Sequence, residues 1–209
     1  MSNPDLPQIY LMTPSSFELS GFAATLTRVL DTAEIACLRL SLATSDEDTI
    51  LRAADTLREI SHARDIPMVI DSHIQMVARL GLDGVHLTDG ARSLRKVRDE
   101  LGGDAIIGAY CGQSRHDGMS AGEAGADYVS FGPVGATSLG DGARAEPELF
   151  QWWSEMIEVP VVAEGALTEA DMRAVAPFTD FFGLGDEIWR SEDPAKRLQE
   201  ITALIASAA

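Results

Sequence analysis

A single (β/α)8 barrel is the fold this sequence predicts, on two observations. Short apolar, β-branched runs recur along all 209 residues without the polar alternation of a half-exposed strand, which suits strands buried on both faces of a parallel sheet. Between the runs lie segments whose apolar residues repeat at helical spacing, so strand and helix alternate at intervals of about 25 residues, the pattern of a βα barrel. A doubly wound open sheet is the alternative reading of the same alternation. No low-complexity tract, Pro/Gly linker or charge block interrupts the chain, which predicts one domain over residues 1–209.

The first strand is expected at 8–13, followed by a helix carried by Phe22, Leu26, Val29 and Leu30. The second, at 35–41, precedes a helix with Ile50, Leu51, Ala54, Leu57 and Ile60 on one face. Asp46-Glu47-Asp48 marks its start, where negative charge complements the helix dipole. Strand three at 67–72 leads into a short helix at 74–80, and strand four at 84–87 into a helix at 93–101. Strand five at 105–110 precedes a helix at 119–124, and strand six at 127–132 precedes one at 147–157. Strands at 159–164 and 180–185 precede helices at 168–175 and 194–206.

In such a barrel, chemistry is built from the loops at the C-terminal strand ends. That rule places Thr13, Arg39, Ser41, Asp71, His73, Thr88, Asp89, the loops 110–116 and 132–138, Glu164-Gly165 and Asp186 at the candidate mouth. The run from Gly125 to Ser138 is the most informative. It reads as a helix end, a buried strand through Tyr128-Val129-Ser130-Phe131, and a Gly/Ser/Thr-rich loop. Backbone N–H groups and hydroxyls in that position suit a phosphorylated ligand, with Gly132, Thr137 and Ser138 as contacts.

Charge narrows the function classes. Thirty-three acidic residues against 16 basic ones give a net charge of −17 and a pI near 4.4. Such a surface repels nucleic-acid backbones and anionic lipid, leaving a small molecule as the expected ligand. Cys37 and Cys111 both sit in apolar runs and read as free buried thiols of a reducing compartment. Met1-Ser2-Asn3-Pro4-Asp5 lacks a basic n-region, and no apolar run approaches the ~20 residues that span a bilayer, so a cytoplasmic protein is expected.

Individual residues admit two readings each. In Ser114-Arg115-His116-Asp117, Arg115 is a candidate anion clamp and His116 a candidate acid or base, with Ser114 as a ligand contact. Alternatively, Ser114 caps a helix and the other two face solvent on its first turn. Asp71 serves as a metal ligand, a general base or the cap of a short helix. His86 reads as a core histidine and His62 as a surface one. Arg39, ending a buried strand, must find an anion, either a ligand or a carboxylate such as Asp71, Glu164 or Asp186. The Phe150-Gln151-Trp152-Trp153 helix is a candidate homodimer interface. No Cys/His spacing suggests zinc.

The anchors Gly81-Leu82-Asp83-Gly84-Val85-His86-Leu87, Ile106-Ile107-Gly108, Gly125-Ala126-Asp127-Tyr128-Val129, Phe131-Gly132-Pro133 and Pro160-Val161-Val162-Ala163 resemble the thiamine phosphate synthase and thiazole tautomerase superfamily over nearly the whole chain. The resemblance implies a transferase that joins a pyrimidine pyrophosphate to a thiazole phosphate with magnesium, in thiamine biosynthesis. By that resemblance Asp71 and Asp89 are the candidate magnesium ligands; the residues themselves name no cofactor. Several family positions differ. The second-strand pattern Gln-x-Arg-x-Lys reads Cys37, Arg39 and Ser41. The Asn-Asp ending strand three reads Ile70-Asp71, and the second metal aspartate falls on Ala91. Tyr110 replaces the serine ending strand five, and Gly140 the lysine of the sixth loop. Gly165-Ala166 stands where the phosphate-cradling glycines lie, and Asp186 replaces the serine after strand eight. A tautomerase histidine after strand five is also missing, with Gly112-Gln113 in its place.

A carboxylate about 4 Å from a phosphate oxygen costs around 4 kcal/mol at an effective dielectric near 20. Glu164 and Asp186 beside the phosphate nest, with two lysines lost, therefore reverse the field that pyrophosphate chemistry needs. The expectation is a divergent member, not an efficient synthase, that binds a small polar ligand at the strand ends. Residual chemistry would rest on Arg39, Asp71 and His116, with Thr13, Ser114, Arg115, Gly132, Thr137, Ser138, Gly165 and Asp186 as contacts. Two alternatives stand beside it. One is a working magnesium-dependent synthase that recruits Asp89 and Arg115. The other is a non-catalytic regulatory barrel whose inward acids and Arg39 form a closed salt-bridge network.

Overall fold

The computed structural model describes residues 6–137 and 142–208 and closes eight parallel strands into a barrel in sequence order. The strands are β1 (Gln8–Met12), β2 (Ile35–Leu40), β3 (Met68–Asp71), β4 (Gly84–Leu87), β5 (Ile106–Tyr110), β6 (Tyr128–Phe131), β7 (Val161–Glu164) and β8 (Phe181–Leu184). Most are one or two residues shorter than their apolar runs. The pairing of β8 with β1 excludes the open sheet.

Around them run α1 (Leu19–Leu30), α2 (Glu47–His62), α3 (Ile74–Leu80), α4 (Leu94–Leu101), α5 (Arg115–Glu123), α6 (Pro147–Met156), α7 (Glu169–Val175), α8 (Asp186–Trp189) and α9 (Pro194–Ala208). Side-chain caps set several starts: Asp46 accepts the N–H of Thr49 ahead of α2, and Thr168 and Asp171 form a capping box on α7. One expectation is corrected here. The fifth helix begins at Arg115 rather than near 119, because Ser114 caps it by accepting the N–H of Asp117 at 3.1 Å. The four-residue α8 was not anticipated; a single turn carries no periodic signal.

Two cores result. Outward-facing strand residues such as Leu38, Val85, Ile107, Val129 and Phe182 pack against the helices. Inside the barrel Tyr10, Cys37, Val69, Tyr128 and Val162 form a separate cluster, with Met12, Ile106 and Phe181 against it. Both cysteines are free and buried, and burial pushes each thiol up to about 12, so neither is reactive at neutral pH.

Register decides what lies at the mouth. Met12 pairs with Arg39, Asp71 with His86, Tyr110 with Ser130, and Glu164 with Gly183. Arg39, Asp71 and Glu164 each stand two residues beyond an inner-cluster residue of the same strand (Cys37, Val69 and Val162), so the strand ends above that cluster are ionic. No helix among the described residues is long and apolar enough to cross a membrane.

Candidate active site

Arg39 is the centre of the mouth. It is 7% exposed, and its Nε lies 2.7 Å from Asp71 Oδ1 while Nη1 lies 2.8 Å from Glu164 Oε2. The second-strand arginine therefore bridges the third and seventh strand ends. Burial opposes its charge, but Glu164 and Asp71 outweigh that and hold its pKa above the ordinary arginine value. Glu164 is raised by burial, with Asp71 reinforcing the effect against the pull of Arg39. One guanidinium cannot neutralise two carboxylates, so the trio carries a net charge of about −1 when all three are ionised. Gly183 makes the geometry fit. A Cβ there would meet the Glu164 Cβ at 2.8 Å, so the bare eighth strand leaves room for the seventh-strand carboxylate.

Beside the trio opens a cleft of about 1030 Å³ lined by Tyr110, Gln113, Gly132, Thr137, Glu164, Gly165, Asp186, Glu187 and Arg190, among others. The sixth and seventh loops are clamped together: Val134 and Gly135 donate to the Glu164 and Gly165 carbonyls at 3.0 and 2.9 Å. Gly135 is required there, since a Cβ would lie 1.6 Å from the Ala166 oxygen. Tyr110 donates its hydroxyl to Gly132 O at 2.7 Å, and burial followed by Glu164 raises its pKa. At the rim Asp186 pairs with Arg190 at 2.6 Å. Glu187 accepts two backbone N–H groups, from Leu167 at 2.9 Å and Gly185 at 2.8 Å.

The expected contacts divide accordingly. Gly132, Thr137, Gly165 and Asp186 line the cleft; Ser138 lies outside the described residues. Thr13 does not line it. Its buried hydroxyl accepts the N–H of Ser41 at 3.0 Å, tying the first two strand ends together. Arg115, His116 and Ser114 need a larger correction. The Ser114 cap starts α5 at this point, which turns its first residues outward. Arg115 stacks 4.7 Å over the Trp152 ring and His116 is exposed, so neither joins Arg39 and Asp71. On the candidate dimer helix, part of the apolar surface is used within the chain. Phe150 and Trp153 are buried against Phe131, and half-buried Trp152 sits beneath Arg115.

The magnesium donors fit poorly. Asp71 is committed to Arg39, and exposed Asp89 accepts the Ser93 hydroxyl at 3.0 Å. Among the described residues no group of three or more His, Cys, Asp and Glu side chains is placed to hold a metal ion. Magnesium demands oxygen ligands in near-octahedral order, and this pair does not present them.

Buried His86 bonds through Nδ1 to the Tyr128 hydroxyl at 3.0 Å, which pairs with the Tyr10 hydroxyl at 2.5 Å. Burial, assisted by the Arg39 charge, pushes the imidazole well below its ordinary pKa. His62, expected at the surface, is half-buried, with Nε2 2.7 Å from Asp83. Tyr110 and Gln113 fall in the expected mouth loop 110–116, and Glu187 belongs with Glu164 and Asp186 to the acids expected on the strand-seven and strand-eight side, although none of these three was singled out as a ligand contact. Their signal is position at or just after a strand end, which becomes specific only once the loops are placed.

Comparison with known proteins adds the family. A sequence model described as thiamine monophosphate synthase matches residues 9–179. A thiamine-phosphate synthase of Rhodospirillum centenum is 40% identical over 184 residues, covering 87% of this chain and 89% of that protein. One of Erythrobacter litoralis is 34% identical over 215 residues, covering 100% of both. The solved structure of a thiamine phosphate pyrophosphorylase from Pyrococcus furiosus superposes with a TM-score of 0.84 over 96% of each chain at 20% identity, a likeness of fold.

Proposed function

The chain belongs to the thiamine monophosphate synthase family, and from that premise we propose that it is a divergent member, not an efficient synthase, whose cleft binds a small neutral or cationic ligand. The observation that carries this reading is the commitment of Arg39 to Asp71 and Glu164. Arginine is the one cation left of the second-strand pattern, and a pyrophosphate would have to break two charge-assisted bonds to reach it. Glu164, Asp186 and Glu187 along the same cleft add repulsion where a synthase needs fixed positive charge. Tyr110 and Glu164 both line the cleft and offer a hydroxyl and a carboxylate to a polar ligand.

A second reading is a working synthase, favoured by relatives of that name that match nearly end to end. In that reading Asp71 and Asp89 must rearrange to hold magnesium and Arg39 must release one carboxylate.

An assay with the pyrimidine pyrophosphate, the thiazole phosphate and magnesium separates the two. We expect product formation far below the ordinary enzyme range; turnover on the order of 1–10 s⁻¹ overturns the proposal. Direct binding gives a second measure: the unphosphorylated thiazole alcohol should bind more tightly than its phosphate.

A further inference from the structure

Glu164 is a buried carboxylate with one oxygen open. Its side chain is 9% exposed, and Oε2 accepts from Arg39 Nη1 at 2.8 Å. Oε1 finds no donor among the described residues, and it is not buried: it faces the cleft that Glu164 lines. The chain on either side is bare where this carboxylate stands. A Cβ on Gly132 would meet the Glu164 carbonyl oxygen at 2.5 Å and its Cγ at 3.2 Å, and one on Gly183 would meet its Cβ at 2.8 Å. Two close approaches and the Arg39 bond therefore fix where the open oxygen points. Side-chain donors nearby are already committed. Tyr110 gives its proton to Gly132 O at 2.7 Å, and Gln113 turns its amide to Gly132 O and Ala143 O at 3.3 and 3.4 Å. The cleft thus presents an open charged acceptor, with Asp186 and Glu187 adding negative charge to its lining.

We propose that the cleft takes an organic cation bearing N–H donors, of the amidinium or primary ammonium type, and that Glu164 is the carboxylate it pairs with. Arg39 alone faces both Asp71 and Glu164, so a bound cation supplies the positive charge that the trio lacks. An N–H donor on Oε1 makes a charge-assisted bond without disturbing the Arg39 bond on Oε2. Burial disfavours the ionised form of Glu164, and a cation beside it offsets that effect. This inference rests on the reading of the cleft as one for a neutral or cationic ligand, and it commits that reading to the cation and to one residue.

Calorimetric titration of the full chain with benzamidine and, in parallel, with benzamide tests it, since the two differ little in shape and by one charge. At neutral pH the wild type should bind benzamidine at least about tenfold more tightly than benzamide. Glu164→Gln keeps the side-chain shape and an acceptor but not the charge, and should cut that preference to about threefold or less. Equal or undetectable binding of the two by the wild type overturns the proposal. So does a preference that survives undiminished in the folded variant. Labelled wild type gives a readout that needs no substitution: the Glu164 carboxyl carbon resonance should move saturably with benzamidine and stay fixed with benzamide. A resonance that ignores benzamidine overturns the proposal even where Glu164→Gln does not fold. The synthase assay fails independently. Efficient turnover in a protein that prefers benzamidine refutes the proposed function alone, whereas an inactive protein without that preference refutes this inference alone.

Discussion

Arg39, Asp71 and Glu164 stabilise the mouth only as a set. Removing the cation leaves two carboxylates facing each other at a desolvated strand end, and breaking a buried pair in this way typically costs about 3–5 kcal/mol. Arg39→Ala should therefore lower the urea midpoint by a corresponding amount, and adding Glu164→Gln should recover part of the loss. An arginine that served only an external ligand would leave the midpoint unmoved. His86 gives a pH signature. Its pKa is lowered from 6.5 in the folded chain, so the unfolded chain takes up the proton first as pH falls. Its stabilisation is complete above pH 6.5 and declines below it, by at most about 1.4 kcal/mol per pH unit. Urea denaturation of wild type and His86→Gln between neutral and mildly acid pH should show the wild type losing stability faster. Parallel curves would mean that the imidazole titrates alike in both states.

At the scale of elements, three aspartates pin the barrel's N-terminal end. Asp83 accepts the N–H of Met68 at 2.6 Å, Asp127 that of Ile107 at 2.7 Å, and Asp180 that of Val161 at 2.8 Å. Each stands just ahead of an even-numbered strand and satisfies a backbone donor at the start of the odd-numbered strand before it. The bond crosses two neighbouring strands and so fixes their register. Two of the three carboxylates take a further partner, His62 on Asp83 and Arg98 on Asp127. Asp180→Ala should destabilise the protein by about 1–3 kcal/mol by leaving the N–H of buried Val161 unpaired, whereas Asp180→Asn retains an acceptor and should lose less. Thermal denaturation of both variants checks the order. The Gly125-Ala126-Asp127 run was visible as a motif, but its carboxylate gave no sign of reaching back to the preceding strand.

Across the whole molecule, polarity is graded along the barrel axis. The interior is apolar around Val69 and Val162, turns hydrogen-bonding at Tyr10, Tyr128 and His86, and becomes ionic at Arg39, Asp71 and Glu164. Carboxylates outnumber cations at that end, as they do in the chain at large, where the net charge is −17. The same excess of negative charge thus reappears, desolvated and stronger, inside the cleft.

The sequence by itself determined the barrel and its strand ends. Continuous apolar runs have one good burial, between two apolar layers, and their alternation with helical segments has one good closure. It also named Asp71 and Glu164 among the partners open to Arg39, because a buried guanidinium must find an anion. Only the tertiary structure decided which carboxylates those were, since the choice rests on the register that aligns strand ends far apart in sequence. It likewise turned Arg115 and His116 outward, through one hydroxyl at Ser114 that starts a helix four residues earlier than the periodicity suggests. Glu187 was legible only as an acid beside Asp186. Its role depends on two loop amides coming together in space, and backbone donors leave no trace in residue type.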